Sequence, residues 1–161
     1  MKPTEATLYS QEAMEAWFKQ VTSPGSCLLR HGIVPKLQPK FVCCNLEEKT
    51  VTLSFDVLPW ELNPQNVIHG GLIATAFDTT LCLLCHYFTK PRGVITVSLN
   101  TTYHKPIFMG STFHITAKME FQGGSLCNIT GEAWVQNPPV LASSATSILK
   151  VLKEEQHNPL T

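Results

Sequence analysis

Asp78 stands in a stretch, Gly71 to Phe88, whose other residues include Leu72, Ile73, Ala76, Phe77, Leu81, Leu83 and Leu84. A carboxylate in so apolar a segment is costly to bury without partners. It needs a hydrogen-bond donor, such as Thr75 or Thr79 nearby, or a chemical task. Just ahead of the stretch lies His69-Gly70-Gly71. Paired glycines cost a helix about 1 kcal/mol each relative to Ala, and on their own they make an ordinary tight turn. They also leave bare backbone N–H groups at the positive end of the helix dipole, where a ligand can approach. Such donors suit a carbonyl oxygen that is gaining negative charge. Combined with a carboxylate that activates water or attacks directly, they point to acyl transfer.

The spacing adds a constraint. Gly70 and Asp78 are separated by roughly 12 Å along a helix axis at about 1.5 Å per residue. One chain's helix start and its own Asp78 therefore cannot hold the same reacting carbon. Two helices running antiparallel across a two-fold axis would pair Gly70 or Gly71 of one chain with Asp78 of another. The chemistry itself predicts an oligomer.

Positioning such a helix requires other elements, and the hydrophobic pattern supplies them. Ser10 caps a helix from Gln11 to about Val21, with Ala13, Met14, Trp17, Phe18 and Val21 on one face; Ser23-Pro24-Gly25 ends it. Cys27 to Pro39 shows no period and reads as a connecting loop. From Phe41 the period becomes two. Val51, Leu53, Phe55 and Val57 form one apolar face, and Ile95, Val97, Leu99 and Tyr103 another. Phe113 to Phe121 and Cys127 to Val135 alternate likewise, and a last strand runs from about Val140 to Leu152. Gly123-Gly124 and Asn137-Pro138-Pro139 supply hairpin turns. The helix from Gly71 to Phe88 is apolar nearly all round and so must be buried; its exception is the stripe Thr75, Asp78, Thr79, Cys82 and His86. The expectation is an α+β domain, an antiparallel meander wrapped around one central helix, with an extra N-terminal helix. Residues 1–36 form the helix and loop, 37–153 the core and 154–161 a fraying tail.

Asn63, then Asn66 to Asp78 (Asn-Val-Ile-His-Gly-Gly-Leu-Ile-Ala-Thr-Ala-Phe-Asp), followed by Val94 to Asn100 and Tyr103-His104-Lys105-Pro106, resembles the hotdog-fold thioesterases of the phenylacetyl-CoA (PaaI) type. The similarity runs from about Phe41 to Leu152. It implies a hotdog fold and hydrolysis of acyl-CoA thioesters. On that resemblance Asp78 is the general base or nucleophile. The Gly71 N–H, with Gly70, polarises the thioester carbonyl. His69 and Asn63 line the site, and Thr96 places the water or the carboxylate. The resemblance also implies a site between subunits of a homodimer or tetramer. Two departures stand out. Asn66 replaces the family's frequent glycine, and Asn is the next best residue for positive φ. Gly123-Gly124 replaces the family's Gly-Arg hairpin, leaving Lys105, Arg92 and Lys90 as alternative phosphate partners.

Competing signals are weaker. Lys plus Arg and Asp plus Glu number 12 each among 161 residues, so bulk charge attracts no nucleic acid. The apolar stretch from Leu72 to Phe88 is interrupted by Asp78 and His86, against a membrane span. No secretory or transit pattern opens the chain, and six cysteines read as reduced thiols, so a cytoplasmic location is expected. Cys82-Leu83-Leu84-Cys85 lies inside a helix and reads as small packed residues rather than a redox pair. No zinc-type spacing occurs, and no cofactor is expected beyond the CoA of the substrate. Leu72, Phe77, Leu81 and Trp60 are the expected walls of the acyl pocket. A non-catalytic acyl-CoA sensor on the same fold is the alternative; a hotdog dehydratase would lack its acid–base pairing.

Overall fold

The hydroxyl of Ser10 accepts a hydrogen bond from the Ala13 N–H at 3.1 Å and starts α1, Gln11–Val21. Met14 and Phe18 of its apolar face are wholly buried in the core, and Trp17 and Val21 pack half-buried against it. The computed structural model describes residues 9–136 and 139–153, so the expected tail from 154 and the Asn137-Pro138 part of one turn lie outside the described residues. The segment expected to be an irregular loop instead holds a 3-10 turn, Cys27–Leu29, and a short helix α2, Val34–Leu37. Such elements are too short to show a period. Pro35 in the first turn of α2 pre-sets the backbone, and Gln38 at φ 51° closes it.

Six strands follow: β1 (Lys40–Asn45), β2 (Thr50–Asp56), β3 (Val94–Tyr103), β4 (Thr112–Gln122), β5 (Leu126–Val135) and β6 (Val140–Val151). All neighbours pair antiparallel in the order β1-β2-β4-β5-β6-β3. The long helix α3, Gly70–Thr89, separates β2 from β3 in the chain. The sheet is therefore not the simple meander expected: the chain leaves α3 and lays β3 on the far edge, beside β6. The Gly123-Gly124 turn closes β4 onto β5, with the Gly123 N–H donating to the Leu126 carbonyl at 2.8 Å.

α3 is long and apolar enough to cross a membrane, yet most of it is buried within the fold. Phe77 and Leu81 press onto β5 at Gly131, where an added Cβ would lie 2.9 Å from Leu81 Cδ1 and 3.0 Å from Phe77 Cδ1. Only the absence of a side chain lets helix and sheet approach so closely. These two residues fill the core between helix and sheet.

β3 departs from the expected alternation. Its pairing with β6 shifts register between Thr96 and Ser98, a bulge at Val97. A bulge reverses which residues face which side. Before it, Val94 packs on the core and Thr96 reaches α3; after it, Leu99 packs on the core and Tyr103 reaches α3. Ile95 and Val97, expected on the core face with Leu99, are 49% and 58% exposed.

Replacing Gly131 by Val should lower stability by about 1–3 kcal/mol through overpacking. Urea unfolding would show a lower midpoint at unchanged m; an unaltered midpoint would mean that helix and sheet are not in this close contact.

Candidate active site

The start of α3 is shaped from both sides. His69 is its N-cap: its carbonyl accepts from Leu72 N–H at 2.8 Å and from Ile73 N–H at 3.3 Å, and its ring Nδ1 accepts from Gly71 N–H at 3.0 Å. The His69 N–H donates to the Glu61 carbonyl at 2.8 Å. Glu61 is itself buried; its carboxylate accepts from Leu58 N–H at 2.7 Å and stiffens the turn Pro59–Glu61. Burial pushes the Glu61 pKa upward, and that single backbone donor only partly opposes it.

Asn63 is turned into its own loop. Its Oδ1 accepts from Gln65 N–H at 2.9 Å and Val67 N–H at 3.3 Å, and Asn66 takes φ 59°, as expected of the residue replacing glycine. From the other side, Tyr103 Oη donates to the Gly70 carbonyl at 2.8 Å. A Cβ on Gly70 would stand 3.2 Å from that ring. With Gly71 N–H held by His69, the Gly70 N–H is the helix-terminal donor that has no partner among the described residues.

Two turns further along α3, Asp78 Oδ1 accepts from Thr96 Oγ1 at 2.6 Å and faces Cys82 Sγ at 3.8 Å; Cys82 Sγ and Thr96 Oγ1 are 3.4 Å apart. Thr75 and Thr79, the local partners the sequence offered, donate instead to backbone carbonyls one turn back. Both donors therefore converge on Oδ1, and Oδ2 has no hydrogen bond among the described residues. Burial above all, and then the Asp78 charge, push the Cys82 thiol up to about 12. The thiol therefore stays protonated and donates to the Asp78 carboxylate. Asp78, Cys82 and His86 line a cavity of about 300 Å³ whose apolar wall is built from Leu28, Val34, Leu83, Val94, Ile95 and Leu152. The expected walls are elsewhere: Phe77 and Leu81 are fully buried in the core, Leu72 packs half-buried against it, and Trp60 is 46% exposed. A larger depression of about 560 Å³ on the sheet, lined chiefly by Thr, Lys and Glu side chains, shares no residue with this group.

The candidate phosphate partners are dispersed. Arg92 and Lys105 flank opposite ends of β3, whose ten residues span roughly 33 Å at about 3.3 Å each. Arg92 Nη1 donates to the Gly124 carbonyl at 3.0 Å, which brings a guanidinium to the very hairpin where the sequence lacks one. Lys90 Nζ lies 3.8 Å from the centre of the Tyr87 ring and within 6 Å of those of Trp17 and Tyr9. Burial lowers its pKa, and its charge ties α1 to the end of α3 rather than facing a ligand. The sequence locates two further residues of the site without giving them a role: Cys82 stands in the helical stripe with Asp78, and Tyr103 in the Tyr103-His104-Lys105-Pro106 run, but neither residue type announces the hydrogen bond it makes.

A sheet of this order folded over one long helix defines the hotdog fold, and solved structures agree. The PaaI protein of the Escherichia coli phenylacetic acid degradation operon matches with a TM-score of 0.73 at 16% identity, over 87% of this chain and 95% of that one. An acyl-CoA hydrolase of Staphylococcus aureus, solved with butyryl-CoA and CoA, matches at 0.61 and 19% identity, over 68% and 66% of the two chains. Residues 65–142, just under half of the chain, match the family described as the thioesterase superfamily, and the chain as a whole has the hotdog fold. An uncharacterized protein of Schizosaccharomyces pombe is 35% identical over 86 residues, 51% of this chain and 49% of that protein. The chain thus matches about half the length of this curated relative.

The thiol environments make a direct check of this geometry. At about pH 8, iodoacetamide should alkylate exposed Cys27 and Cys43 and spare Cys82, with buried Cys85 and Cys127 also protected. Rapid labelling of Cys82 in the folded protein, read by peptide mass spectrometry, would contradict its placement against Asp78.

Proposed function

We propose that the protein hydrolyses acyl-CoA thioesters to a carboxylic acid and CoA, at sites shared between two subunits. The observation that carries this reading is the Asp78 carboxylate, with Oδ1 held by Thr96 and Oδ2 unengaged at the wall of an apolar cavity. A carboxylate held by one oxygen presents the other in a fixed direction, as a base toward water or as a nucleophile toward a carbonyl carbon. As base, Asp78 takes a proton from the water whose oxygen bonds to the carbonyl carbon, the C–S bond breaks, and the leaving CoA thiolate takes up that proton; as nucleophile, Asp78 forms an acyl anhydride as CoA leaves, and water then cleaves it to the acid. The backbone N–H of Gly70, joined by Gly71 when the His69 ring turns aside, offers hydrogen bonds to the carbonyl oxygen as charge builds on it. The match of residues 65–142 to the thioesterase superfamily supports this chemistry.

The single chain separates these parts, and its edge strand supports a way to reunite them. Among the described residues β3 pairs only with β6, so its other edge has no strand partner there, and it displays apolar Ile95 and Val97. An exposed apolar edge is a template for a second strand. Antiparallel pairing of two β3 strands about a two-fold axis would bring the Gly70 end of one α3 toward the partner's Asp78. It would likewise carry Arg92 toward the partner's Lys105, so that cations dispersed in one chain could serve one CoA nucleotide.

Asp78→Asn should reduce turnover of acyl-CoA by about a hundred- to ten-thousandfold, the usual contribution of a positioned base, with the oligomer intact. Thr96→Val should cost roughly ten- to a hundredfold, as expected when a charged group loses its donor. Thiol release at wild-type rates by the Asp78→Asn protein would overturn the assignment, and binding without turnover by the wild type would favour a sensor. Val97→Lys should yield monomers in sedimentation and abolish hydrolysis together; fully active monomers would rule out a shared site.

A further inference from the structure

The cavity beside Asp78 runs along α3 rather than across it. Its floor is the polar stripe Asp78, Cys82 and His86, and Leu28 and Val34 of the N-terminal segment form part of its apolar lining. Beyond His86 a second cavity of about 440 Å³ opens, lined by Trp17, Val21, Pro24 and Ser26. Leu28, Leu83 and His86 line both cavities and so divide them. The His86 ring is held in place: its Nδ1 lies 3.0 Å from the Arg92 carbonyl and its ring centre 5.9 Å from that of Trp17. A carbonyl only accepts, so Nδ1 must donate, and the neutral ring keeps its lone pair on Nε2. Nε2 has no protein partner among the described residues. An apolar chain pushed past it would strip water from that lone pair and return nothing.

Resting on the hydrolytic reading above, we infer that the acyl chain lies in this cavity, and that His86 is the specificity-determining residue that sets its maximum length. Asp78 and His86 are about 12 Å apart along the axis. With carbon–carbon bonds of about 1.5 Å in a zigzag, that length holds roughly ten carbons. The substrate class is straight, medium-chain acyl-CoA, with the methyl end against His86 and Leu28. The N-terminal segment, which precedes the part of the chain matched by the superfamily, thereby selects the substrate.

The test is binding without turnover. Asp78→Ala protein is titrated calorimetrically with saturated acyl-CoAs of about four to sixteen carbons. Affinity should rise about fourfold per methylene, the equivalent of ~0.8 kcal/mol, and level off near ten carbons. Adding His86→Ala, which joins the two cavities, should let affinity climb with longer chains. Adding Leu28→Trp should bring the limit to shorter chains, and it serves as a second probe if the His86 variant misfolds. Identical length profiles in all three proteins, or no limit with His86 present, would overturn the inference. The same panel is then followed by thiol release with Asp78 intact. A length limit that moves with His86, but no Asp78-dependent hydrolysis, would overturn the hydrolytic reading and leave the subsite standing. Hydrolysis with an unmoved limit would do the reverse.

Discussion

The hydrogen bond from Thr96 to Asp78 is the contact on which the rest of the arrangement turns. A carboxylate on a core helix is tolerable only if a donor reaches it, and neither threonine beside it on α3 does so. The close donor comes from β3, eighteen positions along the chain; on α3 itself the Cys82 thiol adds a weak one at 3.8 Å. Three features of the fold must cooperate to deliver it. The chain must leave α3 and place β3 beyond β6; Val97 must bulge; and α3 must sit low enough on the sheet for its stripe to meet that strand. Gly131 answers the last requirement by letting Phe77 and Leu81 close onto β5.

The same strand that satisfies Asp78 leaves an obligation elsewhere. By turning Thr96 and Tyr103 toward α3, the bulge turns Ile95 and Val97 outward from an edge with free backbone groups. Site geometry and the proposed self-association thus both follow from one register shift. The helix start and the carboxylate, too far apart to share a substrate in one chain, both lie against β3, the strand through which the proposed pairing would run.

Much of this was legible in the sequence, and what was not has physical reasons. The strong local signals held: Ser10 caps α1, His69-Gly70-Gly71 opens α3, and Asn66 adopts positive φ. The helical stripe placed Asp78, Cys82 and His86 together before any coordinates. The parity of β3 was hidden, because a bulge depends on pairing with β6 and not on the residues of the strand alone. Phe77 and Leu81 were misassigned to a pocket for a related reason: helical spacing shows that they share a face, but not which neighbour that face meets. The short helical turns from Cys27 to Leu37 carry no period, so the roof of the cavity looked like featureless loop. Lys90, an apparent phosphate ligand by charge, is held by aromatic rings drawn from distant parts of the chain.

A site divided between subunits makes a demand that no site within one chain would meet. Asp78→Asn removes the carboxylate; Gly71→Val, whose added side chain would meet chiefly the movable His69 ring, obstructs the helix start. Each variant should be inactive as a pure oligomer. Unfolded together and refolded as a one-to-one mixture, they should recover about a quarter of wild-type hydrolysis, because about half of the dimers are mixed and each mixed dimer regains one of two sites. Recovery near that fraction is the result predicted; a mixture that forms mixed dimers and stays as inactive as its components would contradict the shared site.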